Sequence, residues 1–353
     1  MDAQSRRRAR TRRWLRRAAR LLQAVALRVT VRGQEHIPAQ GPLLVLFNHL
    51  SNLDGPLVVA SFPHDLELVG PGDFRLLAIG QWALRAYAMT LIARGRADRG
   101  SLKAIIEHLK AGRMLAMAPE GGTWEKRLSE VKPGAAYVSQ VTQAPILPVG
   151  LGGVYGVEWE LLRLRRPRVT VTFGEVMPPV PPSADRRQRE ADLEAASAAI
   201  MARIYSLLPP EDRARYDRWG RETYELWVEF AAPGDDSPLT YDGPPLPDMS
   251  ALGELLAKPN LFRPLWQNAG LDVEPFRQAR FFAPIEVQIT ARRLQETLSA
   301  GDFEEYLPYR LGEEKAAQVL ASLKALRAAC DWAMGRDARM RLSPVVNDPL
   351  NAA

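Results

Sequence analysis

The stretch Gly41-Pro42-Leu43-Leu44-Val45-Leu46-Phe47-Asn48-His49-Leu50-Ser51-Asn52-Leu53-Asp54-Gly55-Pro56 runs an apolar segment straight into a histidine, with an aspartate just before the second Gly-Pro. Apolar residues at every position, bounded by Gly-Pro on one side and a polar turn on the other, describe a strand buried on both faces. Similar short segments surround it at Arg28 to Arg32, Leu66 to Val69, Thr90 to Arg94, Arg113 to Ala118, Ile146 to Leu151 and Arg168 to Phe173. Helical patterns lie between several of them, at Pro56 to Phe62, Gln81 to Ala88, Ser101 to Lys110 and Pro133 to Gln143. In the third, Leu102, Ile105, Ile106 and Leu109 recur at helical spacing behind a capping Ser101 and before Gly112. Strands alternating with helices of this size predict an α/β sheet covered on both sides. Two more helices are expected over 186–208 and 211–229.

A chain of 353 residues is longer than one core usually takes, so a main domain with a smaller addition is expected. A hydrophobic fraction of 46% with 25% charged residues excludes collagen-like, wholly disordered and coiled-coil chains. The one cysteine, Cys330, cannot close an internal disulfide or build a thiolate zinc site, which fits a reducing compartment. It falls in an apolar helical stripe and reads as a packing residue. No apolar run is long enough to span a bilayer.

The charge is concentrated at one end. Residues 1–20 hold nine arginines against one acid, Asp2, so the net +6 of the chain comes from this segment and the remainder is slightly acidic. A basic footprint confined to a terminus argues against a nucleic-acid-binding domain surface. Trp14, Ala18, Leu21, Leu22 and Val25 form an apolar stripe flanked by Arg13, Arg16, Arg17 and Arg20, the pattern of an interfacial helix. Residues 1–27 are therefore expected to rest on an anionic membrane surface, peripherally and on the cytoplasmic face. Residues 1–22 are expected to be separable from the fold. A twin-arginine export signal, an organellar transit peptide and an RNA-binding tail are the other readings; Arg17, Arg20 and Arg28 interrupt the apolar core that the first would need.

The main domain is expected over 28–230. Residues 231–249, with Pro233, Pro238, Pro244, Pro245 and Pro247, suit a linker, and 250–353 a mostly helical extension of unassigned role. Its clearest helix runs from Glu313 to Met334 and stops at Gly335.

Of four histidines, His49 is the one at a strand exit, and Asp54 opens the next helix. Residues five apart on one regular helix point about 140° from each other, so the two meet only if His49 lies in the turn and Asp54 folds back onto its ring. A carboxylate bonded to one ring nitrogen leaves the other free as a general base. The alternative is an Asp54 that only caps its helix and a His49 bonded to backbone. Other strand exits add further groups: Ala118-Pro119-Glu120-Gly121-Gly122-Thr123, and Arg94, Arg96 and Arg99, which suit an anionic head group. Lys132-Pro133-Gly134 opens a helix, and Pro145 to Val149 brings in the next strand.

The order of these blocks resembles the glycerolipid acyltransferase family, whose best-known members are 1-acylglycerol-3-phosphate O-acyltransferases. Asn48, His49 and Asp54 match its NHxxxxD block, Arg94 its strand ending in arginine, Pro119, Glu120 and Gly121 its PEG block, and Pro145 to Val149 its proline-bearing strand. The resemblance spans about Arg28 to Leu208. It implies a mixed, mostly parallel sheet flanked by helices and a catalytic pair His49 and Asp54. It also implies acceptor binding by Asn48, Arg94, Glu120, Gly121, Gly122 and Thr123, with Asn48 also bonding the turn. The implied donor is an acyl-CoA or acyl carrier protein thioester, a co-substrate, with no cofactor, metal or nucleic acid. The implied acceptor is a lysolipid, lysophosphatidate first. Where lysophosphatidate enzymes of the family read PEGTR, this chain reads Glu120-Gly121-Gly122-Thr123-Trp124, without the arginine. Another lysolipid, or a lipid-linked amino or sugar alcohol, therefore stays open as acceptor, as does a lipid-binding or scaffolding role without turnover.

Overall fold

In a computed structural model of the chain, the described residues are 3–71, 82, 85–92, 99–120, 133–183, 185, 187–219, 221–234, 236–259, 261–278, 280–300 and 303–347. They form two compact units, Met1–Gly220 and Arg221–Ala353.

In the first unit, α1 (Ala3–Ala26) leads into β1 (Arg28–Arg32), followed by β2 (Leu43–Phe47), α2 (Asp54–Ser61), β3 (Glu67–Pro71) and β4 (Thr90–Ile92). Then come α3 (Arg99–Lys110), β5 (Met114–Met117), α4 (Gly134–Thr142), β6 (Ile146–Gly152), α5 (Val157–Leu162), β7 (Arg168–Phe173), α6 (Arg189–Ser206) and α7 (Pro210–Trp219). The helix expected at Gln81 to Ala88 lies partly outside the described residues. Seven strands make one sheet in the order β1-β7-β6-β2-β5-β3-β4. Its pairings are parallel except that of β6 with β7, so the sheet is mixed and mostly parallel.

The apolar run Leu43 to Phe47 is β2, close to the middle of this sheet. Leu43, Val45 and Phe47 join Leu57, Val58 and Phe62 in the core on one face. Leu44 and Leu46 join Ile105, Leu109, Ile200 and Ile204 in the core on the other. All five β2 side chains are buried, each stabilising the fold by about 2 kcal/mol of removed apolar surface. A charge at any of them has no face to escape to.

The reversal at β7 decides what meets at one edge. β2 and β6 run parallel and in register from Leu44 opposite Ile146 to Phe47 opposite Val149, so both point to the same edge. β7 starts where they end, with Thr170 opposite Gly152, and Arg28 of β1 lies opposite Arg168. The end of α1, the turn between α5 and β7, and the residues after Phe47 therefore share one edge.

The amino-terminal helix corrects two expectations. Arg12, Arg16 and Arg20 recur every fourth residue and face the domain. Arg16 donates to the carbonyls of Pro63 and His64, and Arg20 to those of Ala60 and Phe62, meeting the negative end of α2. Arg12 is buried, with both terminal nitrogens on the Glu67 carboxylate and Nε on the Tyr87 carbonyl at 2.8 Å. Arg16 and Arg20 thus do not belong to the outward basic flank, and residues 1–22 are not separable from the fold. The apolar stripe does face outward: Trp14, Leu21, Leu22 and Val25 are all about two-thirds exposed. Among the described residues no helix is long and apolar enough to cross a membrane.

The second unit is described by itself. β8 (Thr223–Ala231) pairs antiparallel along its whole length with β10 (Arg339–Asn347), and β9 (Pro238–Leu239) covers the other edge of β8. Among the described residues five α-helices accompany them: α8 (Ser250–Ala257), α9 (Arg263–Ala269), α10 (Pro284–Leu298), α11 (Tyr306–Leu311) and α12 (Glu313–Met334). The helix expected over 211–229 is wrong in its second half, and the first unit ends at Gly220 rather than at 230. Tyr224, Leu226 and Phe230 are buried while Thr223, Glu225 and Trp227 are exposed, the period of two that a strand requires. The span 231–249 contains β9, and the mostly helical extension also contributes the strand β10. Cys330 is fully buried on α12, and burial pushes its thiol up to about 12, so it stays protonated.

Burial alone would raise the Glu67 carboxyl, but Arg12, His108 and Arg113 together hold it below its usual value. A carboxyl held low contributes stability above its unfolded value and loses it as pH falls through the folded one. Arg12→Ala is expected to lower the stability of the first unit by about 3 kcal/mol at neutral pH. In thermal unfolding across an acid titration the deficit should narrow as Glu67 protonates; a deficit of constant size down to about pH 2 would contradict the assignment.

Candidate active site

At the end of β2 the chain turns, and Asn48 takes over from the strand ladder. Its side chain is fully buried, accepting from the Leu151 amide at 2.7 Å and donating to the Leu151 carbonyl at 3.0 Å. It also lies 3.4 Å from the Tyr216 hydroxyl. With its amide engaged on both sides and no exposed surface, Asn48 pins the turn to β6. Its side-chain bonds run to Leu151 of β6 and not to the residues of the His49 turn itself.

His49 comes next, with its side chain 21% exposed. Its Nδ1 lies 2.9 Å from Oδ2 of Asp54. The same Oδ2 accepts from the amides of Leu50 at 2.7 Å and Ser51 at 2.8 Å. Asp54 is the first residue of α2, yet its carboxylate points back over the preceding turn, and no side chain caps the helix. The capping alternative is thus set aside, and the folded-back geometry is the one present. Burial pushes the Asp54 carboxyl up, opposed by the bonds from His49, Ser51 and Leu50. Because two amides that can only donate share Oδ2 with the ring, that oxygen is an acceptor, and Nδ1 carries the proton. Nε2 is then left with its lone pair.

Two more carboxylates hold the turn. Oε1 of buried Glu120 accepts from the His49 amide at 2.9 Å. Oε1 of Glu158, on α5, accepts from the Ser51 hydroxyl at 2.8 Å and the Asn52 amide at 2.9 Å. Glu158 is a residue that sequence reasoning missed: a helix of six residues is too short for apolar periodicity to register. Asp212 and Tyr216 on α7 were missed for another reason, since their partners, Gly153 and Asn48, lie just past the ends of the distant strands β6 and β2. Asp212 accepts from the Gly153 amide at 2.8 Å, at a glycine whose φ of 71° favours the absence of a side chain. Tyr216 is almost wholly buried, and burial with the nearby Glu120 carboxylate raises its hydroxyl well above the usual value, so it remains protonated. Arg94, Gly121, Gly122 and Thr123 lie outside the described residues.

An imidazole with Nδ1 fixed by a carboxylate and, among the described residues, no partner at Nε2, at the carboxyl edge of an α/β sheet, is an arrangement able to accept a proton. The sequence model of the Acyltransferase family matches residues 28–152, the span that holds β1 to β6 and both the His49 and Glu120 blocks. This match supports an acyltransferase domain over residues 28–152, in line with the glycerolipid acyltransferase family that the motif order resembles. Among solved structures the chain is similar to the crystal structure of the 1-acyl-sn-glycerophosphate (LPA) acyltransferase PlsC from Thermotoga maritima. That similarity has 21% sequence identity and a TM-score of 0.42, over 57% of this chain and 83% of the other. No curated protein matches the chain.

Asn48→Ala should cost about 2 kcal/mol, because it strands a buried amide and carbonyl of Leu151. Thermal unfolding checks the loss; an unchanged melting temperature would show that the turn is held without Asn48.

Proposed function

We propose that the protein is a membrane-surface O-acyltransferase of phospholipid synthesis, moving a fatty acyl group from a thioester of coenzyme A or acyl carrier protein to the hydroxyl of a lysophospholipid. The observation that carries this reading is the bond between Nδ1 of His49 and Asp54, which leaves Nε2 as a base at the sheet edge. Nε2 takes the proton of the acceptor hydroxyl as its oxygen attacks the thioester carbonyl carbon. The tetrahedral oxyanion then collapses, the C–S bond breaks, and the departing thiolate receives the proton held by His49. Asp54 keeps the ring oriented and stabilises the imidazolium in between. General-base assistance supplies about 10²–10⁴-fold, with the rest coming from positioning and from stabilising the oxyanion.

Arg94, Glu120, Gly121, Gly122 and Thr123 are assigned to the acceptor; the Glu120 contact to the His49 amide gives that residue a positioning part as well. Lysophosphatidate is the first acceptor to test. The sequence Gly122-Thr123-Trp124 supports trying acceptors without a phosphate beside it. The outward apolar stripe of α1, between exposed Arg10, Arg13 and Arg17, supports peripheral attachment to an anionic cytoplasmic leaflet.

Purified protein given acyl-CoA or acyl-carrier-protein thioester and a panel of lysolipids should release free thiol, and the acceptor that yields acylated product names the substrate. His49→Ala is expected to lower kcat by about 10³-fold and Asp54→Asn by about 10²-fold, with KM little changed. Wild-type turnover by His49→Ala would remove the proposed mechanism; silence with every acceptor and both donors would favour a lipid-binding role.

A further inference from the structure

We propose that the turn between α5 and β7 is a second lipid-contact element, seating the catalytic edge of the sheet on an anionic bilayer beside α1. The inference rests on the membrane-surface reading above and adds a site to it. Trp159 is 60% exposed, Leu162 73% and Leu164 94%. Leu164 also has a φ of 55°, left-handed backbone that a branched side chain rarely adopts and that glycine or asparagine would fill more easily. An almost fully exposed leucine in a strained turn serves neither packing nor turn geometry.

Its surroundings commit the occupant. Arg163 and Arg165 flank Leu164 and share one acid, Glu160, at 3.6 and 3.3 Å, so the turn is net basic. Arg166 donates to the carbonyls of Ala24 and Leu27 at 2.6 and 3.2 Å, fastening the turn to the end of α1 that bears exposed Leu21, Leu22 and Val25. Beside that fastening lies a cavity of about 490 Å³, lined by Arg20, Arg28 and Arg166 with no carboxylate among the described residues of its wall. Apolar tips around guanidinium groups fit a bilayer, with leucine and tryptophan at the acyl boundary and phosphates of anionic headgroups in the cavity.

The same helix reaches the chemistry. Glu158, next to Trp159, holds the Ser51 hydroxyl and the Asn52 amide of the catalytic turn. Contact of α5 with lipid therefore presents the His49 turn to acceptors embedded in that surface.

The test compares three variants of the full chain: Leu162→Asp with Leu164→Asp, Leu21→Asp with Leu22→Asp, and Arg28→Glu. Flotation with phosphatidylglycerol and phosphatidylcholine vesicles measures binding. Leu162→Asp with Leu164→Asp is expected to weaken partition to phosphatidylglycerol vesicles by about tenfold. It should also raise KM for a lysolipid presented in those vesicles, while leaving the rate with a short-chain, water-soluble lysolipid unchanged. Arg28→Glu should weaken binding to phosphatidylglycerol vesicles alone. If the turn variant binds as wild type while the α1 variant is released, the inference is overturned and the membrane reading stands. If both bind as wild type, the inference fails together with that reading.

Discussion

Four consecutive amides after β2 are each claimed by a carboxylate. His49 donates to Glu120, Leu50 and Ser51 to Asp54, and Asn52 to Glu158. The acids come from three places in the chain: the exit of β5, the start of α2, and α5. A turn with no hydrogen-bond ladder of its own is thereby fixed as firmly as a strand, and the ring of His49 inherits that position. The arrangement is costly in isolation, because it gathers buried negative charge, as the upward push on Asp54 records. Donors that cannot lose their protons offset that cost, and the geometry they enforce is what a base at a fixed place requires.

How much of this was legible in advance depended on the range of each interaction. The seven strands of the first unit were readable because each is a short apolar or β-branched run between breakers, and β2, apolar at every position, announced a sheet covered on both faces. Spacing allowed His49 and Asp54 to meet in a turn but left a plain helix cap open as well; the order of the surrounding blocks is what pointed to the pair. Glu158 was not readable, because nothing local to Val157–Leu162 reveals a partner at Ser51. β8 was misread for a related reason. Its apolar residues fit either period over so short a window, and the partner that selects the strand, β10, comes more than a hundred residues later.

The arginines of α1 show how composition misleads when taken as a sum. Nine positive charges in twenty residues suggest one task, attraction to an anionic surface. Three of them at a spacing of four do something else: they close over the end of α2 and over Glu67. The helix is thereby oriented, and its apolar stripe is turned outward because the opposite face is occupied. Packing and surface display are two consequences of one docking.

The single antiparallel pairing in the first sheet, β6 with β7, has an outcome for transport as well as for topology. Had β7 run the other way, the end of α1 and the turn before β7 would lie at the far edge, and their exposed apolar groups would be on the pole opposite His49. With the membrane footing proposed above, an acceptor lying in a leaflet would reach His49 by lateral diffusion with its tail still among other tails. On the proposed footing, the solvation penalty of lifting that tail into water, about 0.8 kcal/mol for each methylene, never enters the reaction path.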